Sequence, residues 1–304
     1  MSASGTIARE QENVLNDKIV AENISLIYRI KNKDEKVNSF VAIDNVTLRV
    51  REGEFLTIVG PSGCGKSTFL DVVAGLAKKD HGKVLIDGVE VTKPSLDRGI
   101  VMQGYALFPW LTVKRNVEFG LDIKGVSKEQ KEKISREYIE LVGLSGFENR
   151  YPHELSGGMK QRIAIARALA YDPKVLLMDE PFAAIDEQTK ESLHLELLRI
   201  WEKTHKTIIF VTHSIEEAVF LSDRVAVMSK NPGTIKQIVD VSLPRPRNDA
   251  VKSSPQFSIL RHRIWKLLHN QTERKDPVKE NKGMESVDYG QLSQEEIASL
   301  GSGI

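Results

Sequence analysis

The sequence predicts an α/β fold with a mostly parallel sheet, a small antiparallel β layer and an inserted helical lobe. Helical patterns alternate with short strands in the second half of the chain, which is the order that βαβ units produce. Four strands are apolar throughout, and such strands lie in a sheet that is covered on both faces. They are Phe55–Val59, Val175–Met178, Thr207–Val211 and Val225–Met228.

The N-terminal third of the chain predicts the antiparallel layer. Residues 1–17 are polar and lack a pattern, so we expect them to be disordered. Ile19–Tyr28 and Val41–Val50 alternate apolar and polar residues, as half-buried strands do, and a charged hairpin tip joins them. Lys83–Gly88 and Gly99–Met102 predict two further strands. Edge strands from this region would form the small antiparallel layer.

The helical lobe is predicted at about residues 104–170. Its helical pattern is clearest from Val113 to Arg150. The segment Ser127–Gln130 has the spacing of a capping box, which marks the first turn of a helix. Four residues then share one apolar helical face. They are Ile134, Tyr138, Leu141 and Val142.

The remaining helices complete the domain plan. Gln188–Lys203 and Ile215–Leu221 predict helices between the last core strands. Past Arg247, one helix is predicted at Gln256–His269, and we expect disorder after it apart from a short helix near residues 294–300. The chain is therefore expected to contain an N-terminal segment at 1–17, one large domain at 18–247 and a C-terminal helix and tail at 248–304.

Composition excludes several classes of protein. The 304 residues are 40% hydrophobic, so a large core needs no disulfide or metal to stabilise it. Cys64 is the single cysteine, which excludes an intrachain disulfide and favours a reducing, cytoplasmic setting. A formal charge of +1 argues against nucleic acid as a partner. No signal peptide or membrane span is expected, because no apolar run is long enough.

The most informative motif follows the first apolar strand and predicts a phosphate-binding loop. The pattern G-x-x-x-x-G-K-[ST] between a strand and a helix cradles phosphates with backbone N–H groups, so a P-loop NTPase core is predicted. The loop consists of Gly60, Pro61, Ser62, Gly63, Cys64, Gly65, Lys66, Ser67 and Thr68. Lys66 would reach the β- and γ-phosphates, and Ser67 would offer its hydroxyl to Mg²⁺. The expected ligand is a nucleoside triphosphate with magnesium.

The cysteine within this loop has two interpretations. Its place near a helix N-terminus would lower the pKa of the Cys64 thiol and make it reactive. The alternative is an inert small residue at a position that the motif leaves free.

Two carboxylates at the end of a later strand complete the predicted site. Asp179 and Glu180 end the apolar run that begins at Val175, which places them at the sheet edge beside the phosphate loop. Asp179 is suited to hold Mg²⁺ through water, and Glu180 to orient and deprotonate the attacking water. Taken alone, the pair could be a solvated turn; the loop upstream favours the catalytic interpretation.

A second anion-binding segment is unexpected in a chain with one nucleotide site. Ser156, Gly157 and Gly158 open an Ala-rich helix, so backbone N–H groups are again exposed at a helix start. Alone, this segment would indicate an ordinary N-capped helix.

The phosphate loop, the Leu-Ser-Gly-Gly segment and the Asp-Glu strand end, in this order, resemble the ATP-binding cassette (ABC) superfamily. The resemblance covers about Ile19 to Arg247 and marks 18–247 as an ABC ATPase domain. It implies that two copies of the chain pack head to tail, so that Ser156–Gly158 of one copy covers the γ-phosphate that the other holds. This arrangement would explain the second anion-binding segment.

Further site residues are implied by the same resemblance. Gln103 resembles the glutamine that contacts the metal and the attacking water, His213 the histidine that contacts the γ-phosphate, and Tyr28 the aromatic that stacks on adenine. Without the resemblance, an exposed amide, a core histidine and a core aromatic are the alternatives. Asp186 resembles the aspartate through which two cassettes communicate.

The motifs depart from the family pattern at two positions. Met159 stands where glutamine is more usual in the signature. Ala183 stands where serine is more usual in the loop before Asp186, so one hydroxyl contact of that loop is lost.

A cassette without membrane spans resembles the separate ATPase subunit of a prokaryotic importer, on the cytoplasmic face of the cell membrane. The implied partners are a second copy, two transmembrane permease subunits and an extracytoplasmic substrate-binding protein, with no nucleic acid. Phe108–Val113 would help line the groove for a permease helix, and the alternative is packing within the lobe. Four stretches are similar to the nitrate, sulfonate and taurine group of importers. They are Ser62–Gly65, Phe108–Val113, Pro232–Ile235 and Leu243–Arg247.

Two other functions remain open from the sequence. One is the ATPase subunit of an exporter, and the other is a soluble cassette protein that acts on nucleic acid or ribosomes. The transported solute cannot be identified, because the cassette does not contact it.

Overall fold

The computed structural model describes residues 17–31 and 37–269. The disorder expected at 1–17 falls outside these residues except at Asp17, which begins a strand. The tail that follows His269, with the short helix expected near 294–300, lies outside them altogether.

Ten strands and eight α-helices are described in these two ranges. The strands are β1 (Asp17–Lys31), β2 (Val37–Arg51), β3 (Phe55–Val59), β4 (His81–Ile86), β5 (Val89–Glu90), β6 (Arg98–Val101), β7 (Val175–Asp179), β8 (Thr207–Thr212), β9 (Arg224–Met228) and β10 (Ile235–Asp240). The helices are α1 (Lys66–Ala74), α2 (Val113–Ile123), α3 (Lys128–Leu141), α4 (Gly157–Ala170), α5 (Glu187–Thr204), α6 (Ile215–Leu221), α7 (Asp249–Lys252) and α8 (Pro255–His269).

The larger sheet carries the parallel core that the apolar runs predict. Its strand order is β10-β9-β3-β8-β7-β6, and all neighbours are parallel except the β10–β9 pair. Side chains alternate between its two faces, so Phe55 and Val59 of β3 join one apolar cluster while Leu56 and Ile58 join the other. The predicted α/β fold is confirmed, and the ends of β3, β6, β7 and β8 meet at one edge of the sheet.

The smaller sheet is antiparallel, with strand order β2-β1-β4-β5. One expectation about this layer is wrong. The strand before Gln103, β6, lies at the edge of the parallel sheet and pairs with β7 from Arg98↔Val175 to Val101↔Met178. Strands β5 and β10 were not predicted, because β5 has two residues and β10 has no buried apolar run.

The helical lobe contains α2, α3 and the start of α4. The Ser127 side chain accepts a hydrogen bond from the Gln130 backbone N–H, as the predicted cap requires. Of the predicted apolar face, Val142 is buried, while Ile134, Tyr138 and Leu141 pack against the core at its border.

The segment after β10 is fixed to the domain by two arginines. Arg247 is buried and donates hydrogen bonds to the carbonyl oxygens of Phe220 (2.9 Å) and Ser222 (2.8 Å) at the end of α6. Arg245 pairs with Asp223 at 2.8 Å and stacks over the ring of Trp201. These contacts satisfy the last carbonyls of α6 and position the start of α7 and α8.

None of the helices described within 17–31 and 37–269 has the length and hydropathy needed to cross a bilayer.

Candidate functional site

The phosphate loop lies between β3 and α1, at the carboxyl edge of the parallel sheet. Gly63 and Gly65 have φ values of +72° and +94°, which L side chains rarely adopt. At Gly65, a Cβ would also lie 2.6 Å from Ile43 Cγ2. Gly60 is needed for packing instead, since its Cβ would lie 2.6 Å from the Cys64 sulfur. The glycine requirement was predicted. The close approach of Ile43 to Gly65, and that of the Met228 carbonyl oxygen to Gly60 (2.9 Å from a Cβ there), come from other parts of the fold and could not be predicted.

The loop has the features that a triphosphate requires. Gly65 is the N-cap of α1 and has no side chain to accept the first-turn N–H groups, which leaves them for phosphate oxygens. Lys66 is 5% exposed, and its ammonium donates to the carbonyl oxygens of Gly60 (3.0 Å) and Pro61 (3.1 Å). The exposed residues of the loop are Pro61, Ser62, Gly63 and Ser67. The residues present therefore fit a nucleotide phosphate chain.

Ser67, in the first turn of α1, meets Asp179, the last residue of β7. The Ser67 hydroxyl donates to Asp179 Oδ1 at 2.9 Å. Burial raises the pKa of the Asp179 carboxyl, as does the nearby Glu180, while the Ser67 hydrogen bond and the Lys66 charge lower it, with a net rise. Hydroxyl and carboxylate oxygens are ligands that suit Mg²⁺, which takes few protein ligands and completes its shell with water and phosphate. No group of three or more His, Cys, Asp or Glu is placed to hold a metal in 17–31 and 37–269, as expected for such a site.

Glu180 lies between a lysine and a histidine. Its Oε2 is 2.9 Å from His213 Nδ1, and its Oε1 is 3.7 Å from Lys66 Nζ. The Glu180 backbone has φ +39°, a conformation that costs energy for a residue with a side chain and is common at functional sites. Its N–H donates to the Val211 carbonyl oxygen at 3.0 Å, which holds this strained residue at the sheet edge. The fold thus brings three predicted site residues together.

Gln103 and Tyr28 are both exposed, and their roles at the site stay predictions. Gln103 is exposed in the turn after β6, and the β6–β7 register brings this turn to the edge where Asp179 ends β7. Tyr28 is 43% exposed on β1, opposite Phe40 of β2. Ile43 of β2, which lies beside the phosphate loop at Gly65, pairs with Leu26, two residues before Tyr28 on β1.

The signature segment makes a separate set of contacts. Ser156 is the exposed N-cap of α4, and its hydroxyl accepts from the Met159 N–H. A Cβ on Gly157 would lie 2.9 Å from the Tyr105 hydroxyl, and one on Gly158 would lie 2.8 Å from Thr189 Cγ2. Within residues 17–31 and 37–269, no hydrogen bond or ion pair joins this segment to the phosphate loop.

Asp186 has a structural role that the sequence interpretation did not include. It is the exposed N-cap of α5 and accepts a hydrogen bond from the Thr189 N–H at 2.9 Å. That backbone hydrogen bond, with one from the Thr189 side chain, lowers the pKa of the Asp186 carboxyl. Ala183, where serine is more usual, lies in the exposed turn just before it.

The hypothesis of a reactive Cys64 is wrong. The Cys64 side chain is 1% exposed, and burial raises the pKa of its thiol more than the Lys66 charge lowers it. The helix N-terminus is close, but loss of water around a thiolate outweighs its effect. The alternative, an inert small residue within the loop, describes this cysteine better.

The sequence interpretation missed a turn that supports the phosphate loop. Gly233 donates its N–H to Ala42 O and accepts from Asp44 N–H, which fastens the turn after β9 to β2. A Cβ on Gly233 would lie 2.2 Å from the Cys64 carbonyl oxygen. In the sequence, this stretch stood out only for its similarity to one group of importers, and a contact between segments so far apart in the chain has no local pattern.

Comparison with known proteins agrees with this geometry. The profile of the ABC transporter family matches residues 43–183. An uncharacterized ABC transporter ATP-binding protein of Methanocaldococcus jannaschii is 51% identical over 84% of this chain and 92% of its own length. The nitrate import ATP-binding protein NrtD of Synechocystis is 47% identical over 80% of this chain and 94% of its own length. The aliphatic sulfonates import ATP-binding protein SsuB of Bacillus cereus is 47% identical over 73% and 86%.

A solved structure has the same fold. A dimeric bacterial ABC transporter cassette superposes with a TM-score of 0.64 at 34% identity, covering 73% of this chain and 98% of that cassette. The predicted resemblance to ABC cassettes, and to the nitrate and sulfonate group among them, is confirmed. The chain belongs to the ABC transporter family, as a subunit that binds ATP and hydrolyses it in support of transmembrane transport.

Proposed function

We propose that the chain is the ATPase subunit of an importer for a small solute such as nitrate, a sulfonate or taurine. The observation that carries the proposal is the likeness, over most of the chain, to two proteins named for nitrate and for sulfonate import. The phosphate loop with Asp179 and Glu180 supports the ATP-hydrolysing part of this proposal. An aromatic surface of the helical lobe supports the contact with a permease.

In the proposed mechanism, the phosphate loop binds the ATP phosphates with backbone N–H groups and Lys66. Lys66 exchanges its two carbonyl partners for phosphate oxygens. Ser67, Asp179 and Gln103 are the residues that would hold Mg²⁺, which supplies charge neutralisation at the phosphates when bound. Tyr28 stacks on the adenine.

Glu180 acts as the general base. Its carboxylate lies at the sheet edge, 3.7 Å from Lys66, which binds the phosphates in this mechanism. A water beside the carboxylate is therefore close to the phosphate, and the carboxylate can orient and deprotonate it. His213, hydrogen-bonded to Glu180, fixes the orientation of the carboxylate and faces the same space. Gln103 completes the wall around this water from the end of β6.

Two copies of the chain would share each site. Ser156–Gly158 opens α4 with exposed N–H groups, yet makes no described hydrogen bond with the phosphate loop of its own chain. In a head-to-tail pair, this segment would cover the γ-phosphate bound by the other copy, and Asp186 would lie near the contact. The related cassette named as dimeric supports this arrangement. Hydrolysis removes the phosphate contact and lets the copies separate.

An aromatic surface on the helical lobe suits a permease helix. Trp110 is 71% exposed beside Phe108, and the ring of Phe108 packs on Phe119 with centroids 4.4 Å apart. The Asn116 side chain fixes the backbone beneath these rings through Phe108 N–H and the Phe108 and Leu111 carbonyl oxygens. An exposed, rigid aromatic patch of this kind is typical of a protein contact site.

This surface is connected to the catalytic edge. Arg167 of α4 donates to the carbonyl oxygens of Tyr105 (3.2 Å) and Ala106 (2.6 Å), just after Gln103, and lies over the Phe108 ring. A movement at the site can therefore reach the permease through one short segment. Two permease subunits, at the cytoplasmic face of the membrane, and an external substrate-binding protein would complete the importer.

Uptake measurements test the proposal. The gene is deleted from its host, and uptake of labelled nitrate, an alkanesulfonate and taurine is followed with the deletion complemented by the intact chain or by Glu180→Gln. We expect loss of uptake of one solute, restored by the intact chain alone. Unchanged uptake of all three, with accumulation of an exported compound inside the cells, would point to an exporter instead.

A further inference from the structure

A buried polar group lies directly behind His213. Thr212 is the last residue of β8, and its hydroxyl lies 2.5 Å from Glu217 Oε2. The Thr212 hydroxyl oxygen also accepts a hydrogen bond from the Ser214 N–H at 3.0 Å. Thr212 is 2% exposed and Glu217 6% exposed. His213 therefore lies in a turn whose flanking residues, Thr212 and Ser214, are joined by a hydrogen bond to the Thr212 hydroxyl.

The direction of these hydrogen bonds is fixed by chemistry. Burial raises the pKa of Glu217, but the contact with His194 and the hydrogen bond from Thr212, with the charges of His194 and Lys190, more than offset it, so the pKa lies below its usual value. An ionised carboxylate only accepts, so the Thr212 hydroxyl must donate to it. The hydroxyl oxygen is then turned to accept the Ser214 N–H. Glu217 thus determines how the turn around His213 closes.

Helix capping alone does not account for this arrangement. Ser214 and Glu217 have capping-box spacing at the start of α6, but a capping glutamate accepts the N-cap N–H itself. Here the Thr212 hydroxyl takes that N–H, and the Ser214 hydroxyl accepts from Glu217 N–H. A cap also needs no burial, whereas Glu217 is almost fully buried.

The second oxygen of Glu217 faces α5. Glu217 Oε1 lies 3.5 Å from His194 Nε2 and 3.8 Å from Lys190 Nζ. The His194 Nε2 atom is buried and has no partner with hydrogen-bond geometry among the described residues, so its contact with Glu217 is a longer, electrostatic one. The His194 ring packs edge-on against Phe182, which follows Glu180 by two residues. Glu217 therefore contacts both the turn that presents His213 and the helix that follows the Glu180 loop.

We propose that Glu217 is a positioning residue for His213. It acts through the Thr212 hydroxyl, which fixes the backbone of the turn so that His213 Nδ1 contacts the Glu180 carboxylate. Lys190 and His194 of α5 hold the other oxygen of Glu217 in place. Neither Thr212 nor Glu217 touches substrate. This inference rests on the proposed role of His213 in hydrolysis.

Steady-state ATPase kinetics of four variants of the full chain test it. Thr212→Val removes the hydroxyl with little change of shape, and Glu217→Leu removes the carboxylate. We expect each to lower kcat about tenfold with the KM for ATP within about twofold, because misplacement of one group slows the reaction without weakening ATP binding. The double variant should be no slower than the slower single variant, since both changes remove the same hydrogen bond between Thr212 and Glu217. Thr212→Ser, which keeps the hydroxyl, should restore most of kcat.

Two controls separate the possible outcomes. Ser135→Ala removes a buried hydroxyl–carboxylate hydrogen bond to Glu118 in the helical lobe and should leave kcat within about twofold. Wild-type turnover by Thr212→Val would overturn the positioning role, and so would a kcat of Thr212→Ser as low as that of Thr212→Val. If Thr212→Val does not fold, the kcat and KM of Glu217→Leu decide by the same criteria. His213→Ala is measured alongside: if it turns over normally, the role of His213 fails and this inference with it. If only His213→Ala is slow, the positioning inference alone fails.

Discussion

Glu180 is the residue on which the proposed hydrolysis depends, and its surroundings were only partly predictable. The Asp-Glu pair after an apolar strand indicated its place at the sheet edge. The sequence could not indicate its left-handed backbone, the 2.9 Å contact with His213 or the nearby Lys66. These depend on how β7, β8 and α1 meet, which is a matter of tertiary packing. The role of Glu217 was missed for the same reason, since its partners come from β8 and α5.

Lys66→Ala should weaken ATP binding by roughly 10- to 100-fold. The variant lacks the Lys66 ammonium, so the bound ATP loses the hydrogen bonds that this group would donate to its phosphate oxygens. Hydrogen bonds to charged groups contribute about 1.5–3 kcal/mol each. Titration calorimetry with ATP measures the change, and Lys79→Ala, which removes a surface lysine paired with Glu90, is the matched control. Equal affinities for all three proteins would contradict the assignment of the phosphate loop.

At the scale of elements, the apolar runs predicted the core strands to within a residue or two. Periodicity works for these strands because both faces of the parallel sheet are covered. It failed for β10, whose residues are mostly half-buried at the sheet edge, and it did not assign β6 to the correct sheet. Sheet membership depends on long-range pairing, which local patterns do not contain.

Arg247→Met should lower the free energy of unfolding by about 3 kcal/mol. The buried guanidinium caps the end of α6, and its removal leaves carbonyl oxygens of Phe220 and Ser222 without their donor. Burial, with the charge of Arg245, lowers the pKa of Arg247 to about 10, so it remains protonated at neutral pH. Urea unfolding followed by circular dichroism measures the effect.

Arg261→Met is the control for this change. Arg261 also contacts α6, through Glu216 at 3.0 Å, but both side chains are exposed. Exposed ion pairs contribute at most about 1 kcal/mol. Similar losses of stability in both variants would contradict the idea that Arg247 acts as a buried cap.

For the whole molecule, we propose a site in two halves, which no hydrogen bond or ion pair among the described residues connects. The phosphate loop, Asp179, Glu180 and His213 converge at one sheet edge, whereas Ser156–Gly158 has its own contacts with Tyr105 and Thr189. The order of motifs predicted both segments from the sequence. That they join in a pair of chains is our proposal, which the related cassette named as dimeric and the exposed signature segment support.

Sedimentation velocity of Glu180→Gln tests the shared site most directly. With ATP and Mg²⁺, the variant binds nucleotide but hydrolyses it slowly, so we expect a dimer, and a monomer when nucleotide is withheld. Adding Ser156→Glu, which places a negative charge against the γ-phosphate, should restore the monomer while ATP still binds. A Glu180→Gln protein that stays monomeric with ATP bound, or a dimer that Ser156→Glu leaves intact, would contradict the account.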